Sequence, residues 1–162
     1  MQHIEFKPIW FDSLGAKSAC TLVKTPDISI LIDPGVAVMQ PSFPAPEEMK
    51  VRWARRAERL IRRASGEAEV IIISHYHYDH FTDFDEKIYR GKLILAKDPN
   101  EYINDSQRKR AEKFYDHLST KFGRRRLEEL MKPRKEKTYP DPMDDLPLAR
   151  SRRYGDYEER KR

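Results

Sequence analysis

Three of the five histidines of this 162-residue chain lie within six positions, in the segment Ser74-His75-Tyr76-His77-Tyr78-Asp79-His80. Side chains alternate along an extended chain, so His75, His77 and Asp79 point to one side. A bend after Asp79 can return His80 to that side. Imidazoles with a carboxylate suit zinc or a similar borderline metal, whereas calcium or magnesium would call for more oxygens. The cluster predicts a metal site; the alternative is a loop with ordinary hydrogen bonds.

The elements that would position this cluster are two short apolar strands. The segment AEVIIIS, residues 68–74, directly precedes the cluster and is β-branched, as is typical of a buried strand. Residues 28–32 have the same character and end at Asp33-Pro34-Gly35, which predicts a central strand with both faces covered. The histidines are therefore expected at the end of a sheet strand.

The other elements follow the same patterns. Residues 1–35 predict two or three antiparallel strands with a turn at Pro26-Asp27, and residues 36–46 predict a loop because they hold three prolines. Residues 82–85 resemble a capping box that opens a short helix to Arg90. A strand at KLILA and a helix within residues 99–118 complete the predicted set.

The segment between Pro46 and Gly66 predicts an amphipathic helix. Its apolar positions share one helical face: Trp53, Ala57, Leu60, Ile61 and Ala64. Six arginines occupy the remainder: Arg52, Arg55, Arg56, Arg59, Arg62 and Arg63. The acidic start and basic end complement the helix dipole, which favours a solvated face over a nucleic-acid surface. The sequence assigns this face no function.

Composition limits the possible classes of protein. The chain is 38% hydrophobic and 36% charged, which leaves room for one domain with a core, or for one domain and a tail. It has no apolar segment long enough to cross a bilayer and no signal-peptide pattern at its N-terminus, so a cytoplasmic location is expected. The single cysteine, Cys20, excludes an internal disulfide and a Cys-pair metal site, and its setting predicts a buried strand residue.

The formal net charge of +5 is unevenly distributed. Residues 1–120 contain 18 basic and 18 acidic residues, whereas residues 121–162 contain 14 basic and 9 acidic residues. Residues 119–162 also contain prolines and few apolar positions, which predicts a disordered tail. Weak binding of polyanions is therefore expected from the tail.

The His-x-His-x-Asp-His pattern after an apolar strand resembles the metal motif of the metallo-β-lactamase superfamily. The segment ILIDPG, which contains Asp33 and Gly35, is similar to the strand end that precedes this motif in the superfamily. Three separated blocks within residues 1–117 resemble an uncharacterised archaeal branch of it. The implied fold is α/β: the N-terminal half of an αββα sandwich, a mixed sheet with outer helices, over residues 1–118.

The resemblance also implies roles for individual residues. His75 and His77 would hold a first metal, and Asp79 and His80 a second, with zinc as the expected ion. Asp79 is also the candidate catalytic residue, and Asp33 would order the loop from behind the ligands. Two such metals can share a hydroxide and polarise the bond under attack. Tyr76 and Tyr78 are expected to pack against a neighbouring layer rather than to line the cleft.

The chain also departs from the superfamily pattern. The superfamily has further histidines and a bridging aspartate downstream, but after His80 this chain has only His117, in a different context. A fragment or a change of reading frame near residue 118 would explain this, and a genuine short protein with a novel tail is the less favoured alternative. An isolated half would leave one sheet face uncovered, so self-association or a partner chain is expected.

The resemblance implies a metal-dependent hydrolase of that superfamily, which acts on an unknown small-molecule or phosphodiester substrate. It leaves open that this chain alone is inactive. The alternative is a non-catalytic metal-binding or nucleic-acid-binding protein.

Overall fold

A computed structural model describes residues 3–12, 17–123 and 126–133 of the chain. The elements belong to one compact unit, Met1–Lys132. In chain order they are β1 (Glu5–Phe11), β2 (Ala19–Lys24), β3 (Ser29–Ile32), α1 (Glu47–Ser65), β4 (Val70–Ile73), α2 (Glu86–Tyr89), β5 (Leu93–Ala96), α3 (Asp105–Phe122) and α4 (Leu127–Leu130).

The five strands form one mixed sheet in the order β1-β2-β3-β4-β5. The first three strands pair antiparallel, as predicted, while β3, β4 and β5 run parallel. The parallel pairs are connected through α1 and α2, because a parallel connection needs a crossover long enough to return the chain to the same edge. The predicted central position of β3 is confirmed, and so is the α/β class. The prediction that both faces of β3 are covered is wrong, because only Leu31, on the core face, is fully buried.

One face of the sheet and the helices α1, α2 and α3 form the hydrophobic core. Leu22, Leu31 and Ile71 lie in one row across β2, β3 and β4, and each is at most 2% exposed. The helices contribute Ile61 and Phe114 among others. Cys20 is fully buried on β2, which confirms the prediction of a packed strand residue.

Two local predictions need correction. The cap of α2 is Asp85, whose side chain accepts a hydrogen bond from the backbone N–H of Lys87. Thr82 does not cap the helix, because its hydroxyl donates to the carbonyl of Pro34 at 2.6 Å. In α1, Trp53 is only half-buried, while Ala54 is buried in the core.

The second face of the sheet is apolar and partly exposed. One row crosses all five strands through directly paired residues: Phe6, Val23, Ile30, Val70 and Leu93. A second row contains Leu95, and its side chain is 50% exposed. No described element covers this face in the way that α1, α2 and α3 cover the other.

The predicted tail, residues 119–162, lies mostly outside the described residues. Within the described part, α3 continues to Phe122, past the expected boundary at residue 118, and one short helix, α4, follows it. Among the described helices, none combines the length and apolar character that a membrane span requires.

Candidate metal centre

The candidate centre lies where β3 and β4 end. Because these strands are parallel, their carboxyl ends meet at the same edge of the sheet. The backbone N–H of Asp33 donates to the carbonyl of Ile72 at 2.8 Å, which extends the pairing by one residue. Asp33 and Ser74 thus begin their loops side by side.

The Asp33 carboxylate accepts three hydrogen bonds at this edge of the sheet. Its Oδ1 accepts the backbone N–H of Ser74 at 2.8 Å, and its Oδ2 accepts the Ser74 hydroxyl at 2.7 Å. Oδ2 also accepts Nδ1–H of His80 at 2.9 Å. Asp33 is buried and has a φ of 48°, a left-handed conformation that aspartate adopts more readily than most residues. These hydrogen bonds hold the motif loop, residues 74–80, against the end of β3.

The same hydrogen bonds determine which ring nitrogens carry protons. The single hydroxyl proton of Ser74 is donated to Asp33, so Ser74 Oγ acts as acceptor for His75 Nδ1, which lies 2.9 Å away. His80 Nδ1 must likewise be protonated, because a carboxylate only accepts. In the neutral rings of His75 and His80, Nε2 therefore keeps its lone pair.

Three imidazoles converge in this loop. The ring centres of His75 and His80 are 4.0 Å apart, and those of His75 and His77 are 4.9 Å apart. Burial lowers the pKa of His75, and the neighbouring His80 and His77 lower it further, so the neutral ring is favoured. Asp79 Oδ2 lies 3.7 Å from His80 Nε2. In the described part of the chain, no three His, Cys, Asp or Glu side chains have an arrangement that could hold a metal ion.

Gly35 allows the two loops to approach each other closely. A Cβ at this position would lie 2.3 Å from the backbone nitrogen of Phe81 and 2.5 Å from that of His80. No side chain fits there without moving the backbone that carries His80. The Thr82 hydroxyl bond to Pro34 lies beside this contact and ties the same two segments together.

Helix α3 supports the motif loop from the core side. Gln107 Oε1 accepts the backbone N–H of Tyr76, and the Arg110 guanidinium donates to the carbonyl of Tyr76. The Tyr76 ring is fully buried, and its hydroxyl donates to the carbonyl of Lys97 at 2.6 Å. Burial raises the pKa of this phenol well above its ordinary value.

The two tyrosines of the motif differ in their surroundings. Tyr76 packs as the sequence predicts, whereas Tyr78 is 42% exposed. Tyr78 stacks on Phe81 and lies under the guanidinium of Arg110, 5.1 Å from the ring centre. Its side chain also lines a groove between α1 and the motif loop.

Sequence reasoning missed three residues that organise the loop. Ser74 directly precedes the motif. Its hydroxyl was the one sequence feature that could have indicated a hydrogen bond to Asp33. Gln107 and Arg110 gave no signal, because their contacts with Tyr76 span more than 30 residues. His117, the one histidine downstream of the motif, lies on α3 with Nδ1 3.9 Å from Asp83 Oδ1.

Comparison with known proteins gives matches over the same region. Residues 15–102 match the metallo-beta-lactamase superfamily. A UPF0282 protein of Methanopyrus kandleri is 40% identical over 124 residues, covering 68% of this chain and 42% of that protein. A UPF0282 protein of Methanocaldococcus jannaschii is 39% identical over 123 residues, with the same coverage of 68% and 42%. A third, from Korarchaeum cryptofilum, is 42% identical over 118 residues, covering 68% and 38%.

The chain spans about two fifths of the length of these relatives. No solved structure gives a significant match. The superfamily match covers more than half of the chain and contains Asp33, Gly35 and the whole motif loop. On these grounds the chain belongs to the metallo-β-lactamase superfamily, with archaeal UPF0282 proteins among its relatives.

Proposed function

We propose that this chain carries part of the metal centre of a metal-dependent hydrolase. The observation that supports this proposal most is the hydrogen-bond network of Asp33, Ser74, His75 and His80. A metal-bound histidine usually donates its other ring N–H to a carboxylate or another acceptor, which fixes the ring and its tautomer. His75 and His80 both have such a donor contact here.

The donor types fit zinc, although the described residues provide an incomplete set. Imidazole nitrogens and a carboxylate are ordinary zinc ligands, and the neutral form that burial favours for His75 is the form that binds metal. His75 and His77 would hold one ion, and Asp79 and His80 would contribute to a second. A bound metal would polarise the bond under attack and lower the pKa of water at the centre.

Residues around the centre would hold the metal ligands in position. Asp33 and Ser74 fix the rings of His75 and His80, and Gly35 allows the two loops to lie in contact. The centre is only partly shielded from bulk water, because His75 and His80 are half-buried. Asp79 beside His80 is the candidate catalytic carboxylate, and proton transfer near a substrate is its proposed role.

The substrate class is a small molecule or a phosphodiester, and hydrolysis by this chain alone is expected to be slow. Preorganised ligands provide much of the catalysis at such centres, and here each metal would have only two ligands. The second candidate function, metal binding without catalysis, would show the same metal content and no turnover at all.

Zinc retained after dialysis, measured by elemental analysis, tests the proposal. The variant His75→Ala with His77→Ala should lose zinc relative to the native chain. A matched control, His3→Ala with His117→Ala, removes the two histidines outside the motif and should keep it. Equal zinc content in all three proteins would contradict the proposal.

Turnover separates the two candidate functions. With added zinc or manganese, hydrolysis of bis-p-nitrophenyl phosphate by the native chain should be detectable but well below about 1 per second, the lower end of typical enzyme rates. The activity should disappear on chelation and in Asp79→Ala. If zinc is bound but Asp79→Ala leaves the rate unchanged, the non-catalytic candidate is favoured.

A further inference from the structure

The six arginines of α1 form a continuous exposed surface, which we call the arginine face: Arg52, Arg55, Arg56, Arg59, Arg62 and Arg63. With about 100° between successive residues, these positions fall within an arc of about 120°. The buried positions of α1, among them Ala54, Ala57 and Ile61, lie on the opposite side. From Arg52 to Arg63 the arginine face is about 16 Å long, at about 1.5 Å per residue.

Only one member of the arginine face has a carboxylate partner in the described part of the chain. Arg62 Nε lies 2.6 Å from Asp85 Oδ2, and this hydrogen bond raises the pKa of the guanidinium. Across residues 3–12, 17–123 and 126–133, the other five arginines form no ion pair. They therefore present five positive charges to solvent without a direct ion pair. Glu67, which interacts electrostatically with Arg63, is already hydrogen-bonded to Lys24.

A face evolved only for solubility would normally mix charges of both signs. Opposite charges three or four residues apart stabilise a helix by a few tenths of a kcal/mol per pair, and like charges destabilise it by similar amounts. On this face every arginine has another arginine three or four residues away. Glu48 and Glu58 stand at the same spacing from Arg52 and Arg62, so the repulsion is partly offset. Six arginines against two glutamates still leave a net positive surface that attracts an anionic partner.

The dipole complementarity of α1 favours a solvated face, but a surface on which five of six arginines form no ion pair with a described residue favours an anionic ligand instead. We propose that the arginine face binds the phosphate backbone of a nucleic acid. Guanidinium groups bind phosphate oxygens through paired N–H donors, and a row of them along a rigid helix matches the repeating charge of a nucleic-acid strand. Contacts of this kind position the strand without selecting bases, so little sequence preference is expected. The proposal is independent of the metal centre.

The test measures binding of the full-length chain to a labelled 20-nucleotide single-stranded RNA by fluorescence anisotropy at several salt concentrations. Each phosphate contact with a single strand contributes about −0.7 to the slope of log K against log salt. Five contacts predict a slope of about −3.5, and therefore roughly a hundredfold loss of affinity between 50 and 200 mM salt. Single-stranded and duplex DNA of the same length distinguish RNA from DNA as the natural ligand.

Two variants with the same loss of charge compare the arginine face with the tail. The helix variant replaces Arg52, Arg56, Arg59 and Arg63 with Gln, and the tail variant replaces Arg150, Arg152, Arg153 and Arg160 with Gln. In the helix variant, the slope of log K against log salt should decrease in magnitude by nearly 3, at about 0.7 per contact. In the tail variant, the decrease should be far smaller. An equal or larger effect in the tail variant, or no binding by the native chain at 50 mM salt, would overturn the proposal.

A third variant tests whether lost binding results from lost charge or from damage to α1. Lysine at the same four positions of α1 restores the charge, and the helix propensities of arginine, lysine and glutamine are similar. This variant should recover most of the native salt slope. If it behaves like the glutamine variant, positive charge on α1 is not what binds the nucleic acid, and the proposal fails.

Discussion

His80 Nδ1 lies 2.9 Å from Asp33 Oδ2, and this contact joins two segments that are 47 residues apart in the chain. Because β3 and β4 are parallel neighbours, the residues that follow them begin at the same sheet edge. The contact therefore depends on the sheet topology, and it orients a histidine of the motif from a residue that lies outside it.

Ser74 should affect metal affinity although it is not a predicted ligand. Ser74→Ala removes the acceptor of His75 Nδ1 and one donor to Asp33, so the His75 ring loses its fixed orientation. We expect zinc affinity to fall about 10- to 100-fold, the usual effect of removing a residue that supports a ligand. Competition with a zinc-chelating dye measures this. Ser42→Ala, an exposed serine in the loop before α1, is the control, and equal affinity in both variants would contradict the role.

Gly35→Ala should destabilise the fold. The added Cβ would lie 2.3 Å from a backbone nitrogen, so the loop or the motif must move, at a cost of at least about 2 kcal/mol in the free energy of unfolding. Chemical denaturation measures the change. Gly66→Ala is the matched control, since its φ of −62° suits alanine and the nearest atom is 3.2 Å away; a change within about 1 kcal/mol is expected there. Similar losses in both variants would contradict the close approach.

Cys20 should be chemically inert in the folded protein. Burial, with a smaller contribution from Asp33, raises the pKa of its thiol from 9.0 to about 12, so the thiol stays protonated at pH 8. Because the unfolded thiol ionises near pH 9 while the folded one does not, stability should decrease as the pH rises above 9. Mass spectrometry after iodoacetamide treatment should detect modification only in denaturant. Fast alkylation at pH 8 without denaturant would show that the residue is accessible.

The second sheet face should make this chain self-associate. Phe6, Leu93 and Leu95 are 71%, 59% and 50% exposed on one face, and five strands at about 4.8 Å spacing make it about 24 Å wide. Two copies packed face to face would cover both surfaces. Light scattering should detect dimers that Leu93→Lys with Leu95→Lys weakens. Val38→Lys with Val51→Lys changes two exposed apolar residues, one in the loop before α1 and one on α1, which packs on the other sheet face; equal weakening by this pair would show that the second face is not the interface.

The sequence predicts the strands, the long helices and the histidine cluster because each depends on local pattern. Residues 28–32 and 68–74 are recognisable as strands from β-branching alone, and the turn at Asp33 is visible in the same segment. The exposure of one face of β3 is not visible there, because it depends on which elements pack against the sheet. The cap of α2 was misplaced because Thr82 has a tertiary partner, Pro34, that competes for its hydroxyl. Contacts from α3 to the motif loop were beyond prediction, since they depend on how a helix some thirty residues away packs.

We propose that Asp33 and Ser74 hold His75 and His80 with Nδ1 protonated and Nε2 available to a metal. Long-range proton–nitrogen NMR of the imidazole rings, recorded before and after addition of zinc, tests it most directly. We predict Nδ1–H tautomers for both residues without metal and a shift of both Nε2 resonances with zinc. Nε2–H tautomers, or Nε2 resonances that zinc leaves unchanged, would contradict the account.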